Sequence, residues 1–453
     1  PEMQVMTLKP EFEAFCDPDR PVGFTNPEQV AMFVHEWMHY LHNVSTVLGL
    51  TTFCTLTIVW SNFRRTFDGD GWSLGAAYIE PGEAHDIERQ YGHMAVLRGK
   101  QSNTLPSEAV LDQVRFIRVT SRPVGVNREG ELQLRQLVCE VEYKRCADQP
   151  PDPHQLVVGT HDILEGAAYL LEERAAMAMG TVPVRPPFDP YFLLIGIARL
   201  LAPGLDSEVI LKAALASLQY PDPPQVLPQL LACGENALSE GQEPGEAIRL
   251  EGVRLLEAGW PSAESSLRLL EEMFPLDEPM GRAVMQTVSR LRANLTLRRR
   301  NLFFELDIVQ RLRTDITALN EAIRQHGAPT LIQQRRGDEG QIGRDLMYAL
   351  CHQDASVEAL SEGWRLMHAA FRFMGTHLRT GSLRPTAEAS ASQCPFFTTC
   401  ADDHRRAHAE QCRRQPWLAA ASASSHCDYA VAVRITRPPA SEVMGTACQG
   451  RSG

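Results

Sequence analysis

His35-Glu36-Trp37-Met38-His39 sets two imidazoles and a carboxylate in the spacing H-E-x-x-H. On an α-helix, residues i and i+4 lie one above the other on the same face. His35 and His39 can therefore both offer a ring nitrogen to one tetrahedral Zn²⁺, while Glu36 stands about 100° further round the helix and reaches a water on that ion instead. Zinc brings the pKa of such a water to about 7 and polarises a carbonyl. A neighbouring carboxylate accepts the water's proton and returns it to a leaving amine, worth about 10²–10⁴ in rate. The helix that must carry these groups is well marked. Asn26-Pro27-Glu28-Gln29 reads as N-cap, proline in the first turn and a polar third residue. Val30, Phe33, Val34, Trp37, Met38 and Leu41 then recur three and four apart, as an amphipathic helix requires. Histidines filling an ordinary helix core are the bland alternative; motif, N-cap and phase together favour the metal.

A third ligand sets the class. The metzincin pattern needs Gly at position 42 and His at position 45, where this chain has His42 and Ser45. His42, one turn past His39, reads as a core histidine or an outer partner of the site. Downstream, His161-Asp162-Ile163-Leu164-Glu165-Gly166-Ala167-Ala168 follows a short strand and reads as a helix with Glu165 in its first turn and small residues beside it. Here the chain resembles the gluzincin metallopeptidases, on His35, Glu36, His39 and the Leu-Glu-Gly-Ala run at Glu165, over about residues 25–180. That resemblance implies a zincin-like core, zinc held by His35, His39 and Glu165, and Glu36 as general base. The small residues beside Glu165 are expected to let its helix approach the motif helix closely. Glu172, seven residues beyond Glu165 on the same face, is a candidate outer partner for a ligating histidine, its ordinary reading being a solvated helix charge. His161, Tyr169 and Tyr191 are candidates for the donor that a developing oxyanion needs. Familiar gluzincins place a sheet before the motif helix, whereas the hairpin read here follows it, so the edge strand that would hold a peptide is not assigned.

The other chemical signal is C-terminal. Cys394, Cys400, Cys412 and Cys427 fall within thirty-four residues of a segment too short for its own core. They suit a structural second Zn²⁺ or an iron–sulfur cluster, with His404, His408 or His426 able to replace one thiolate. Unrelated free thiols are the alternative, because no tight C-x₂-C pair is present. Arg298-Arg299-Arg300 reads as a solvated helix face paired with acidic residues.

These groups sit in a chain expected to be mainly α with a small β component. The motif helix leads, after a break near Gly49, into a more buried helix ending near Trp60. Val114, Phe116 and Ile117 run toward a turn at 127–130, and Leu137, Cys139, Val141 and Tyr143 alternate back, giving a hairpin that the Pro150, Pro151 and Pro153 cluster ends. Leu156-Val157-Val158 is a short strand before a helix from about Asp162 to Met179. From Tyr191 to about His377 the pattern is helical, interrupted at Pro221–Pro224, Pro261, Pro275 and Gly327-Ala328-Pro329, with Arg282–Gln325 as one long helix or a tight pair. The expected division is a zincin-like core over 1–182, a helical region over 183–380 and a small Cys-rich module over 381–453.

Composition bounds the function. With 453 residues, 44% hydrophobic and 22% charged, the chain has the balance of a folded globular protein. A net charge of −12 offers no general attraction for nucleic acid or anionic lipid, and no apolar stretch reaches the roughly 20 residues of a membrane span. An odd count of eleven cysteines, no secretory leader pattern and low Cys density favour a reducing cytoplasm. The leading expectation is a zinc metallopeptidase cutting a protein or peptide substrate in a selective regulatory or defensive role, its helical region recognising that substrate or a protein partner. The alternatives are a catalytically idle zincin scaffold in an assembly, against which Glu36 speaks, and a zinc amidohydrolase acting on a non-peptide amide.

Overall fold

The computed structural model describes residues 4–10, 12, 26–99, 105–106, 109–124, 134–145, 150–274, 279–335, 345–350, 355–422 and 426–437. The expected turn at 127–130 and the expected break at Pro275 lie outside them. The protein is mainly helical with two small sheets, as its pattern predicts. In chain order the elements are β1 (Val5–Leu8), α1 (Pro27–Asn43), α2 (Val47–Arg64), α3 (Pro81–Arg98), β2 (Val114–Val124), β3 (Leu134–Tyr143), β4 (Asp152–Val158), α4 (Thr160–Ala178), α5 (Leu193–Leu201), α6 (Ser207–Ser217), α7 (Pro223–Ser239), α8 (Pro244–Met273), α9 (Pro279–Arg300), α10 (Phe304–Leu312), α11 (Ala318–His326), β5 (Thr330–Gln333), β6 (Leu346–Ala349), α12 (Ala355–Leu378), α13 (Asp403–Ala407), α14 (Ala409–Arg414) and α15 (Asp428–Thr436).

α1 begins where its cap dictates: the Asn26 side chain accepts from the backbone N–H groups of Glu28 and Gln29, at 3.0 and 3.4 Å. The break after it comes at Val44–Thr46 and not near Gly49. Thr46 caps α2 by accepting from Gly49 N–H, and Gly49 sits in the first turn, where a Cβ would fall 2.2 Å from the Asn43 carbonyl oxygen. The glycine thus lets two helices meet closely and does not end one.

The hairpin continues into a third strand. β2, β3 and β4 form an antiparallel meander in which Pro153 belongs to β4 and does not close the sheet. β4 is an edge strand, where a residue without an N–H costs no ladder bond on its open side. A second sheet, order β1-β5-β6, pairs β1 parallel to β5 and β5 antiparallel to β6. Its strands are four residues long, too short for periodicity to distinguish strand from buried helix.

The helical stretch divides differently from its proline pattern. Pro261 lies inside the 30-residue α8, whose Leu256, Ala263, Leu267 and Leu270 are buried, so packing outweighs the roughly 3 kcal/mol that an interior proline costs. Conversely, 282–325 holds three helices without proline or glycine at the breaks. Asn301 accepts from Phe303 N–H and donates to Asp307, and Asp315 accepts from the backbone and hydroxyl of Thr317. Such side chains offer the backbone an alternative to the helix ladder. One apolar core runs from β1 to α15, with residues of all three expected segments in it.

Arg298 overturns the reading of the triple-arginine run as a solvated face. It is fully buried, donating at 2.7 Å to the Ser45 carbonyl and hydroxyl and to the Leu302 carbonyl, and pairing with buried Glu305 at 2.5 Å. Glu305 in turn stands 3.5 Å from His42, which is a core histidine behind the motif. Arg299 does pair at the surface, with Glu257 at 2.7 Å. No single helix among the described residues is long and apolar enough to cross a membrane. α1 and α2 together would be, by length and composition, but they bend by 68° and both are core helices of this protein.

Candidate metal centre

The back of α1 is fixed first. Trp37 and Tyr40 are fully buried, and their side chains donate to the carbonyls of Gly327 at 2.9 Å and His326 at 3.3 Å. With that face anchored, His35 and His39 turn toward α4. β4 ends in buried Leu156–Val158, and Gly159 N–H donates to the Asp162 carboxylate at 2.8 Å, starting α4 at Thr160 so that Glu165 falls in its second turn and not, as expected, in its first.

The three expected donors meet. Glu165 Oε2 lies 3.2 Å from His35 Nε2 and 3.3 Å from His39 Nε2, and the two imidazole nitrogens are 3.3 Å apart. A tetrahedral ion with bonds of about 2.0–2.1 Å holds its donors about 3.3–3.4 Å from one another. The spacing therefore fits a zinc-sized ion, and the set leaves one tetrahedral position over. Among the described residues, this trio is the group of three histidine, cysteine or acidic side chains whose donor atoms all lie within 4.8 Å of one another.

Glu172 stands 3.0 Å from His35 Nδ1, on the ring edge away from the donor nitrogen, where an outer carboxylate fixes tautomer and orientation. Burial disfavours charge on His35, yet the Glu165 and Glu172 carboxylates raise it to about 9, and burial likewise opposes the Glu165 charge that His35 and His39 hold well below the usual carboxylate range.

The remaining candidates separate. Tyr191 packs edge-on to His35 with ring centres 5.6 Å apart. Burial first, then the Glu165, Glu36 and Glu172 carboxylates, push its phenol up to about 12, so it stays protonated as a donor. Tyr169 is buried behind it, ring centres 6.2 Å apart, and packs on Phe192. His161 is partly exposed, with Nδ1 3.5 Å from Glu165 Oε1. Gly166 serves this side of the site and not the approach of α4 to α1: a Cβ there would sit 2.7 Å from Leu194 and 3.4 Å from the Tyr191 carbonyl oxygen.

Glu36 is exposed, and with His39 it lines a cleft of about 270 Å³. The opposite walls are Val5, Met6 and Thr7 of β1, Ile332 of β5, His368 and Arg372 of α12, and Pro395. Sequence reasoning missed all of these. His368 and Arg372 carry the same i, i+4 spacing that marks His35 and His39, so one wall had a legible signal. Burial and Arg372 push His368 down to about 3, leaving it neutral. β1 also supplies a strand ahead of the motif helix, which the sequence reading left unassigned.

The four C-terminal cysteines also converge on one small cavity, joined there by His404, whereas His408 and His426 are not on its wall. No family model, curated protein or solved structure matches the chain.

Proposed function

We propose that this protein is a zinc-dependent peptidase of gluzincin type, with His35, His39 and Glu165 holding the ion. The observation that carries the reading is the 3.2–3.3 Å triangle of donors beside an exposed Glu36 in an open cleft. When bound, zinc would supply Lewis acidity to a scissile carbonyl and acidify a water. Glu36, exposed beside His39, would act as general base, taking a proton from an attacking water and delivering it to the departing amine. Tyr191, protonated at neutral pH, donates to the oxygen on which negative charge develops. Glu172 holds the His35 ring in register.

A peptide is favoured over a small amide by the cleft's wall. β1 is an edge strand, paired on one side by β5, and its Val5–Thr7 stretch borders Glu36 and His39. An extended substrate can pair with such an edge through its main chain. Arg372 adds a cation to the same cleft, suited to an acidic side chain or a terminal carboxylate.

The test is incubation of the protein and of Glu36→Gln with cell extract, followed by mapping of new protein termini. The proposal expects discrete new termini with the parent, a loss of about 10²–10⁴ in their rate of appearance with Glu36→Gln, and unchanged metal content. Equal cleavage by both proteins would overturn the assigned base. Amide hydrolysis with no new protein termini would instead favour the non-peptide substrate.

A further inference from the structure

Four thiols that the hydrolytic site does not use come together from three segments. Cys394 follows α12 and donates its N–H to the Cys412 carbonyl at 2.9 Å; Cys400 closes the same loop by donating to the Phe396 carbonyl at 2.9 Å; Cys427 is the N-cap of α15. All four side chains line one small cavity. Two of the residues that line it carry a buried polar atom with no hydrogen-bond partner, the Tyr429 hydroxyl and His404 Nε2. Buried polar groups are rarely left so.

The thiols are set up to be ligands. The Phe396 N–H donates to the Cys394 sulfur and the Ala430 N–H to the Cys427 sulfur, bonds that favour a thiolate. Arg405, on the same wall, places a cation near Cys412. Such contacts suit thiolates bound to a cationic centre.

Spacing selects the centre. A zinc ion bound by four thiolates at about 2.3 Å would bring each pair of sulfurs to about 3.8 Å. No three of these sulfurs lie within 4.8 Å of one another, although the histidine–glutamate trio does meet that limit. In a cubane cluster each thiolate ligates a different iron, so the sulfurs stand further apart around a hollow that inorganic sulfide and iron fill. The sulfides are also acceptors for the Tyr429 hydroxyl and the His404 ring.

We propose that Cys394, Cys400, Cys412 and Cys427 hold a four-iron, four-sulfide cluster. Pro395, next to Cys394, lines the cleft beside Glu36 and His39, so the cluster fixes one wall of the substrate site through its ligand loop.

The experiment is anaerobic reconstitution of the full-length protein with ferrous iron and sulfide in the presence of competing zinc. Iron, acid-labile sulfide and zinc are then measured per chain, with the visible spectrum. The expected result is about four irons and about four sulfides per chain, with a broad visible absorption that dithionite bleaches. Cys412→Ser and Cys427→Ser should each lose most of both, while Cys233→Ser on α7, outside the cavity, should keep them. Circular dichroism of each variant reports whether the helices persist. Zinc bound through the four cysteines with no sulfide, a wild-type protein that takes up neither, or equal loss in Cys233→Ser would each overturn the assignment.

Discussion

Glu172 and Tyr191 show how residues that touch no substrate in isolation acquire meaning beside His35. An outer carboxylate on the far nitrogen of a ligating imidazole fixes its tautomer and raises its basicity. Glu172→Gln should therefore weaken zinc affinity by about 10–100-fold, read by chelator competition, with kcat at saturating zinc far less affected. Tyr191→Phe should act the other way, leaving zinc affinity in place and lowering kcat by about 10²–10³ with little change in KM, the signature of a donor used only in the transition state. His35, Glu36 and His39 were legible in the sequence from helical spacing, whereas Glu165 was named through the resemblance to the gluzincins. Glu172 was legible from its helical spacing to Glu165. Tyr191 was nameable only as a tyrosine past a proline boundary, since its approach depends on Gly166 admitting Leu194 and the Tyr191 carbonyl against α4.

At the scale of elements, the motif helix is held from behind by a charge that composition could not place. Arg298 on α9 ties the turn between α1 and α2 to α10 through Ser45, Leu302 and Glu305. Arg298→Ala leaves a buried carboxylate unpaired and should cost about 3–5 kcal/mol, measured by urea unfolding. Glu305 gives the pH dependence of the same network. Burial opposes its charge, yet Arg298 and His42 hold it at about 2, below its ordinary 4.5. Its contribution is therefore fully present above pH 4.5 and is lost as pH falls through about 2, so urea unfolding should show stability falling over that range, and falling less in Arg298→Ala. Helices with strong caps and phase, such as α1 and α4, were readable. The breaks at 301–303 and 313–317 were not, because asparagine and aspartate made them where proline and glycine were absent, and Pro261 made none.

Across the whole molecule, the cleft is built from parts that no local pattern connects. β1 lies near one end of the chain, β5 and α12 more than 300 residues away, and their pairing puts Val5–Thr7, His368 and Arg372 opposite Glu36. A four-residue strand that pairs in parallel with so distant a partner leaves no period to read, which is why no edge strand beside the motif helix was assigned from the sequence. The C-terminal cysteines, by contrast, were legible by proximity, and their convergence on one cavity is what supports the cluster proposed for them.

The most direct test of the metal centre is zinc per chain, by elemental analysis, in the purified protein and in Glu165→Ala. The geometry predicts that the substitution removes about one zinc per chain, because three donors at tetrahedral spacing become two. Zinc content unchanged by the loss of Glu165 would contradict it.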